Sequence, residues 1–437
     1  MKPFQLFLCS FSIFLTAQAE PPKKSDAPAP GALSLGAVTD SVLANNPSIK
    51  EARARWDAMK QRVPQVAAWD DLKVSGSTRL ARFVDVATNS FTDQMLSVEQ
   101  MIPLSGKNQS RARIATAEAL GGLEELRRRE LDVVARARAA YYRLAKGYAL
   151  VELNRANESS LAQTLEISRA RLEVGNQGQA DVLTAEGELI RIEEARRDLE
   201  RSISDDTTQL KVLMNRDPFS PLGQPVASSA HAALPSLENL RSLMLLNRPE
   251  VRMAEAALAA AKAKVELAKR EWIPDPAISI QAQRYNGASQ AASEVSAGVS
   301  FSVPWLNDKK YRAGETEAQS GVEAAQRALE AARTEALGLL RDQLQKIETF
   351  HHHTELFESR LLPNARQTLQ TSRANYEGGK AGFLEMVISD RALREVEAMH
   401  QQHLADYQVA LAELEALVGA DLHLFSPHKG APARKSK

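Results

Sequence analysis

The sequence predicts a mainly α protein with a membrane β-barrel portion, built from one unit duplicated within the chain. Three observations carry this. First, landmarks recur in order. Asn46-Pro47 returns as Arg248-Pro249, and Ile102-Pro103 with Arg111 returns as Val303-Pro304 with Arg312. Gly175 with Asp181 and Leu183 returns as Gly379 with Glu385 and Val387, and Leu210 with Leu213 returns as Leu414 with Leu417. Recurrence at a fixed period marks one supersecondary unit fused to its copy. Second, apolar residues follow coiled-coil spacing in both halves. Steps of three and four from Val182 through Ala185, Leu189, Ile192, Leu199, Ile203, Leu210 and Leu213 are apolar except at Arg196 and Asp206. The walk from Phe383 to Val418 is apolar except at Asp390, Glu397 and His400. Third, between the helical stretches the period falls to 2, the spacing of strands with one apolar face.

In chain order, residues 1–19 read as a signal peptide: Lys2, an apolar stretch over 4–16 too short to span a bilayer, and Ala17-Gln18-Ala19 before Glu20. Cleavage is expected between Ala19 and Glu20. Cys9, the chain's one cysteine, follows Leu8 and would leave with the signal, so no disulfide or thiolate site is expected in the mature chain. Residues 20–34 form a Pro-rich linker. The first repeat covers 35–218, with a helix, a β-hairpin over 72–102 and a long helical hairpin turning near 175. A linker over 219–235 precedes the second repeat, 236–420, with its hairpin over 277–303 and its turn near 379. Residues 421–437 read as a flexible tail.

No proline interrupts 104–175, which permits a helix of roughly 70 residues, about 105 Å long. Its counterpart contains Pro363, which predicts a kink. In the strands, Val295, Ala297, Val299, Phe301 and Val303 alternate with Ser296, Gly298, Ser300 and Ser302. Ile278, Ile280 and Ala282 alternate with Ser279, Gln281 and Gln283, and Leu72, Val74, Gly76, Thr78 and Leu80 with Lys73, Ser75, Ser77 and Arg79. Residues 94–102 read as a weaker partner. Asn89-Ser90 and Asn286-Gly287 supply hairpin turns. Four strands cannot close a barrel, and lipid tolerates no open edge, so several chains must share one.

Composition excludes whole classes. Lys plus Arg equals Asp plus Glu, 55 each, so no charge excess favours nucleic acid. Aromatics are 5% of residues, low for a layered globular core, and after residue 19 no apolar run reaches the roughly 18 residues of a membrane helix. No nucleophile and base constellation points to an enzyme. No catalytic residue and no cofactor is expected. Ser105-Gly106-Lys107 lacks the upstream glycine and following hydroxyl of a phosphate loop. His351, His352 and His353 point about 100° apart on a helix and cannot converge on one ion. His400 and His403 have chelating spacing but no third ligand nearby, so packed or exposed histidines are expected.

The order of elements resembles the TolC-like outer membrane efflux proteins over about residues 35–420. The resemblance rests on Asn46-Pro47, Gln100-Met-Ile-Pro-Leu-Ser-Gly-Lys107, Gly175-x5-Asp181-Val-Leu, Arg248-Pro-Glu, Trp272-Ile-Pro-Asp-Pro276 and Gly379-x4-Leu384. It implies a homotrimer with one 12-stranded barrel in outer membrane lipid and a helical α-barrel in the periplasm. It also implies a passive duct working with a periplasmic adaptor protein and an inner-membrane transporter. A periplasmic coiled-coil adaptor, the reading from another class, would carry one helical hairpin flanked by compact β domains. The family's periplasmic mouth lies where the long helices reverse, here 174–179 and 377–382, with turn glycines Gly175, Gly178, Gly379 and Gly382. The aperture residues are Glu385, Asp181 and Lys380. Glu385 matches the family's first acidic position; Ile388 stands at the second and Ala381 at a basic one. One carboxylate ring rather than two implies weaker cation selectivity, while the chain's size, Asp275-Pro276 before the third strand and the acidic mouth resemble the heavy-metal branch of the family and lean toward heavy-metal cation export over drug or general solute export.

Overall fold

A computed structural model describes residues 32–80, 92–175, 178–226, 234–285 and 289–420. The signal cleavage at Ala19 and Glu20, the turns at Asn89-Ser90 and Asn286-Gly287, and the tail lie outside the described residues.

Each half opens with a short helix, α1 (Leu35–Asn45) or α5 (Leu237–Asn247), followed by α2 (Pro47–Ala67) or α6 (Pro249–Arg270). Ser34 and Ser236 cap the short helices by accepting from Ala37 N and Asn239 N. Pro47 and Pro249 sit where the first helical turn has no partner for an N–H. The junction residues do equivalent work with different chemistry. Asn46 Nδ2 donates to Leu213 O at 2.8 Å, and Arg248 Nη1 donates to Leu417 O at 3.2 Å. Leu213 and Leu417 are repeat equivalents, so each junction satisfies a carbonyl at the end of its own return helix, one of the groups a helix terminus leaves unpaired.

The strands are β1 (Lys73–Thr78), β2 (Thr92–Met101), β3 (Ala277–Tyr285) and β4 (Glu294–Ser300), all antiparallel in the order β1-β2-β3-β4. The β2–β3 pairing fuses the two hairpins into one sheet. Register aligns Val74, Val98, Ile280 and Ala297 in one row and Gly76, Leu96, Ala282 and Val295 in another. Between them lies the polar row Ser75, Ser97, Gln281 and Ser296. Exposure of Val74 (63%), Ile280 (54%) and Val299 (67%) leaves an aliphatic face bare. Leu72, Leu80 and residues 301–303, expected as strand, lie beyond the paired residues. Among the described residues no helix is long and apolar enough to cross a membrane.

Two sequence motifs that looked independent meet at the passage from strand to helix. Asp275 accepts from Ser105 N and Ser105 Oγ, both at 2.8 Å, and lies 3.3 Å from Lys107 Nζ. Lys107 also donates to Ile273 O, and Arg270 donates to Ser105 O. Gly106 turns at φ +72°, where a Cβ would stand 2.3 Å from the Arg270 guanidinium. Burial alone would raise the Asp275 pKa; the Ser105 and Lys107 hydrogen bonds hold it below the usual carboxylate value.

The long helices follow: α3 (Lys107–Glu173), α4 (Gln179–Leu213), α7 (Asp308–Leu356), α8 (Leu362–Glu377) and α9 (Phe383–Val418). At 67 residues α3 runs about 100 Å. The counterpart of α3 is divided at a single π-turn, Phe357–Leu361, where Leu362 N donates to Phe357 O. The expected Pro363 kink therefore takes the form of one inserted residue just before the proline, whose missing N–H would break an ordinary ladder there.

Equivalent residues build two upper cores. Val38, Val42, Ile49, Leu210 and Met214 in the first have Leu240, Met244, Val251, Leu414 and Val418 as counterparts in the second. Polar seam positions are paired across helices: Asp206 with Arg143, Arg196 with Glu158, Glu397 with Arg366, and His400 with Glu358. Asp390 is held within its own helix by Arg394.

Candidate functional site

The far ends of the two helical hairpins form a third core. Leu165, Val182 and Ala185 from the first hairpin pack with Tyr376, Phe383, Met386 and Val387 from the second. Tyr376 and Phe383 meet at 5.5 Å between ring centroids, and the Arg171 guanidinium lies 4.7 Å over the Tyr376 ring. The two reversals are thus held side by side.

Gly175 (φ +75°) and Gly379 (φ +70°) take the left-handed conformation that ends α3 and α8, which glycine adopts without a Cβ penalty. Gly178 and Gly382 do not. They are extended N-caps of α4 and α9 at φ −83° and −76°, so the positive-φ reason for glycine fails at those two positions. Asp181 and Glu385 occupy the same place three residues on, their N–H groups bonded to Gly178 O and Gly382 O, both at 3.2 Å. Negative charge in a first helical turn is favoured by the helix dipole. Asp181 is half-buried; Glu385 and Lys380 are exposed. Leu384 (61%) and Ile388 (56%) flank Glu385 as bare aliphatic side chains.

Above this tip lies a charged cluster that sequence reasoning missed. Glu188 on α4 has its side chain 4% exposed and receives three guanidinium groups: Arg391 at 2.5 Å, Arg191 at 2.8 Å and Arg394 at 3.2 Å. Arg394 Nε also lies 3.0 Å from Asp390 Oδ2. Burial pushes the Glu188 pKa up, but the hydrogen bonds from Arg391 and Arg394 outweigh it and hold it below the ordinary value. Asp390 goes the other way: burial raises it, only partly offset by Arg394, and the Glu188 charge adds to the rise. The cluster walls a groove of about 670 Å³ between the first hairpin and α9, with Leu150, Ile192 and Leu199 as its apolar side. No repeat signal could have found it, because a buried carboxylate and a solvated one look alike in a helical sequence.

His351, His352, His353, His400 and His403 lie well above the tip. His353 and His403 rings meet at 4.9 Å with planes tilted by 56°, His351 packs on Tyr407 at 5.7 Å, and His400 Nε2 is 3.3 Å from Glu358. Among the described residues no three His, Cys, Asp or Glu side chains converge as a metal site.

The sequence profile of outer membrane efflux proteins matches residues 38–216 and 240–420, one match to each repeat. The chain belongs to the outer membrane efflux protein family. Its place is the outer membrane, and the family's members are channels rather than enzymes. Among relatives, the solvent efflux pump outer membrane protein SrpC of Pseudomonas putida is 24% identical over 377 residues, covering 81% of this chain and 78% of SrpC. The cation efflux system protein CusC of Escherichia coli is 26% identical over 266 residues, 57% of this chain and 51% of CusC. In fold, the OprN outer-membrane channel aligns with a TM-score of 0.76 at 18% identity, covering 89% of this chain and 90% of OprN. CusC aligns at 0.77 and 17% identity, covering 89% and 92%.

Proposed function

We propose that three copies of this chain close one 12-stranded barrel and form a passive duct. It carries solutes from an inner-membrane transporter, through a periplasmic adaptor protein, to the outside, with its periplasmic aperture at the hairpin tips. The observation that carries this reading is the four-stranded sheet with a bare aliphatic face and, among the described residues, unpaired outer edges on β1 and β4. In hydrocarbon each unpaired backbone group costs several kcal/mol, so β4 of one copy must pair with β1 of the next. The domain limits at 35–218 and 236–420 follow the two repeats.

At the aperture, Glu385 is exposed at the start of α9 with no ion pair among the described residues. Three copies about one axis place three carboxylates in a ring, which favours cations and hinders anions. This supports cation cargo, in keeping with the name of CusC. Drug or general solute cargo is the second reading, favoured by the bare Ile388 beside the ring and by the solvent-pump relatives. Planar-bilayer conductance separates them. Glu385→Gln is expected to lower the cation-to-anion permeability ratio while trimers still form, with Glu377→Gln as the control. An unchanged ratio makes Glu385 an ordinary surface carboxylate and removes the cation reading.

A further inference from the structure

The second hairpin has a seam between its two cores. The upper core ends near Ile347 on α7 and Tyr407 on α9, and the tip core begins near Tyr376 and Phe383. Between them the π-turn meets α9 through rings. His403 meets His353 with centroids 4.9 Å apart and planes tilted by 56°, and it makes a T-shaped contact with Phe357, the first residue of the π-turn, at 5.0 Å. Nδ1 of both histidines is buried with no hydrogen-bond partner. A π-turn followed by proline is where a helix yields most readily, since one backbone bond is missing and the register has already slipped.

We propose that the His353–His403 contact is a proton-operated clasp, and that protonating it frees the lower arm of the second hairpin, α8 with the first half of α9, to swing about the π-turn. Neutral imidazoles pack here at no electrostatic cost. An imidazolium would carry a buried Nδ1–H with no acceptor, beside a second imidazole whose Nδ1 also lacks a partner.

The surroundings do not cancel the added charge. On α9, Asp406 is the nearest acid, and it already accepts from Gln402, which in turn accepts from Lys146 of α3. His400 is committed to Glu358 of the π-turn, while Arg360, His351, His352 and Glu355 are exposed. Burial first, then His353, holds the His403 pKa below its ordinary value, against Asp406 and with His400. The sign follows. A histidine whose folded value is depressed leaves the packed state fully stable above the unfolded value of about 6.5 and weakens it as pH falls below that. The clasp is closed at pH 7.5 and loosened at 5.5. That the acid comes from the periplasm rests on the duct reading; the clasp itself does not.

Hydrogen exchange read by mass spectrometry on the detergent-solubilised full protein tests it, each variant being compared with wild type at the same pH. At pH 7.5, wild type, His403→Phe and His353→Gln are expected to exchange alike over 362–385. At pH 5.5 wild type is expected to exchange at least about threefold faster there than either variant, because only wild type carries the intact pair that protonation opens. Segments 126–144 and 329–347 should not differ, and His400→Gln should keep the wild-type acid response. If His403→Phe fails to fold, His353→Gln carries the same comparison. An equal acid response in wild type and both variants, none in wild type, or loss of the response in His400→Gln overturns the clasp. A mass of three chains per complex, measured on the same sample, keeps that outcome separate from the fate of the duct reading.

Discussion

Neutralising Glu188 removes a buried carboxylate that ties α4 to α9 through Arg391 and Arg394 and also holds Arg191 of its own helix. Its side chain is 4% exposed, whereas Arg191 and Arg391 are 66% and 53% exposed and Arg394 is 17%. Breaking a buried pair costs about 3–5 kcal/mol when both charges are fully buried. Here water rehydrates Arg191 and Arg391, and only Arg394 is left with an uncompensated charge, which Asp390 partly meets. We therefore expect about 2–3 kcal/mol for Glu188→Gln, an increase of roughly 30- to 150-fold in the open population of the hairpin tip. The assay is hydrogen exchange of segments 180–195 and 383–398 at pH 7, with the upper cores as internal reference. Because the Glu188 pKa is depressed, its contribution is present above the unfolded value near 4.5 and is lost as pH falls through the lower folded value. Wild type and variant should therefore converge only below about pH 4.5. Asp390→Asn, which neutralises a group whose raised pKa already disfavours its charge, should cost less than Glu188→Gln. Exchange of Glu188→Gln within threefold of wild type at pH 7, or convergence already at pH 6, refutes the cluster as the tie between hairpins.

Gly379→Ala should destabilise the tip by about 1–2 kcal/mol through its φ of +70° although no atom stands within 4 Å of the new Cβ. Gly382→Ala, at φ −76° and equally open, should cost less, about 0.5–1 kcal/mol, because alanine is a poorer N-cap than glycine but meets no backbone strain there; local exchange rates compare the two. Asp275→Asn should cost about 2 kcal/mol by weakening the Ser105 and Lys107 hydrogen bonds at the strand-to-helix passage, read as a lower melting temperature of the solubilised protein.

The duplication, the strand faces and the long helices were legible because each is periodic. A face buried in protein or lipid must repeat at 2 or about 3.5 residues, and its copy must repeat the landmarks. The 94–102 strand was faint because Gln100 falls in the aliphatic row and Met95 in the polar one. The reversals at Gly175 and Gly379 were visible because left-handed backbone selects glycine. Gly178 and Gly382 shared the letter but not the cause, since an extended N-cap merely permits glycine. What stayed hidden depends on contacts between halves. Nothing in the local pattern says that Asp275 reaches Ser105, that Glu188 faces Arg391, or that an α-helical register slips by one residue before Pro363.

The mass of the complex extracted from outer membranes, after subtracting bound detergent by light scattering, tests the shared barrel most directly. Twelve strands from four-stranded chains require three copies, so the protein component should be three times the chain mass at every concentration that keeps it folded. A monodisperse single chain with its sheet intact would contradict the shared barrel.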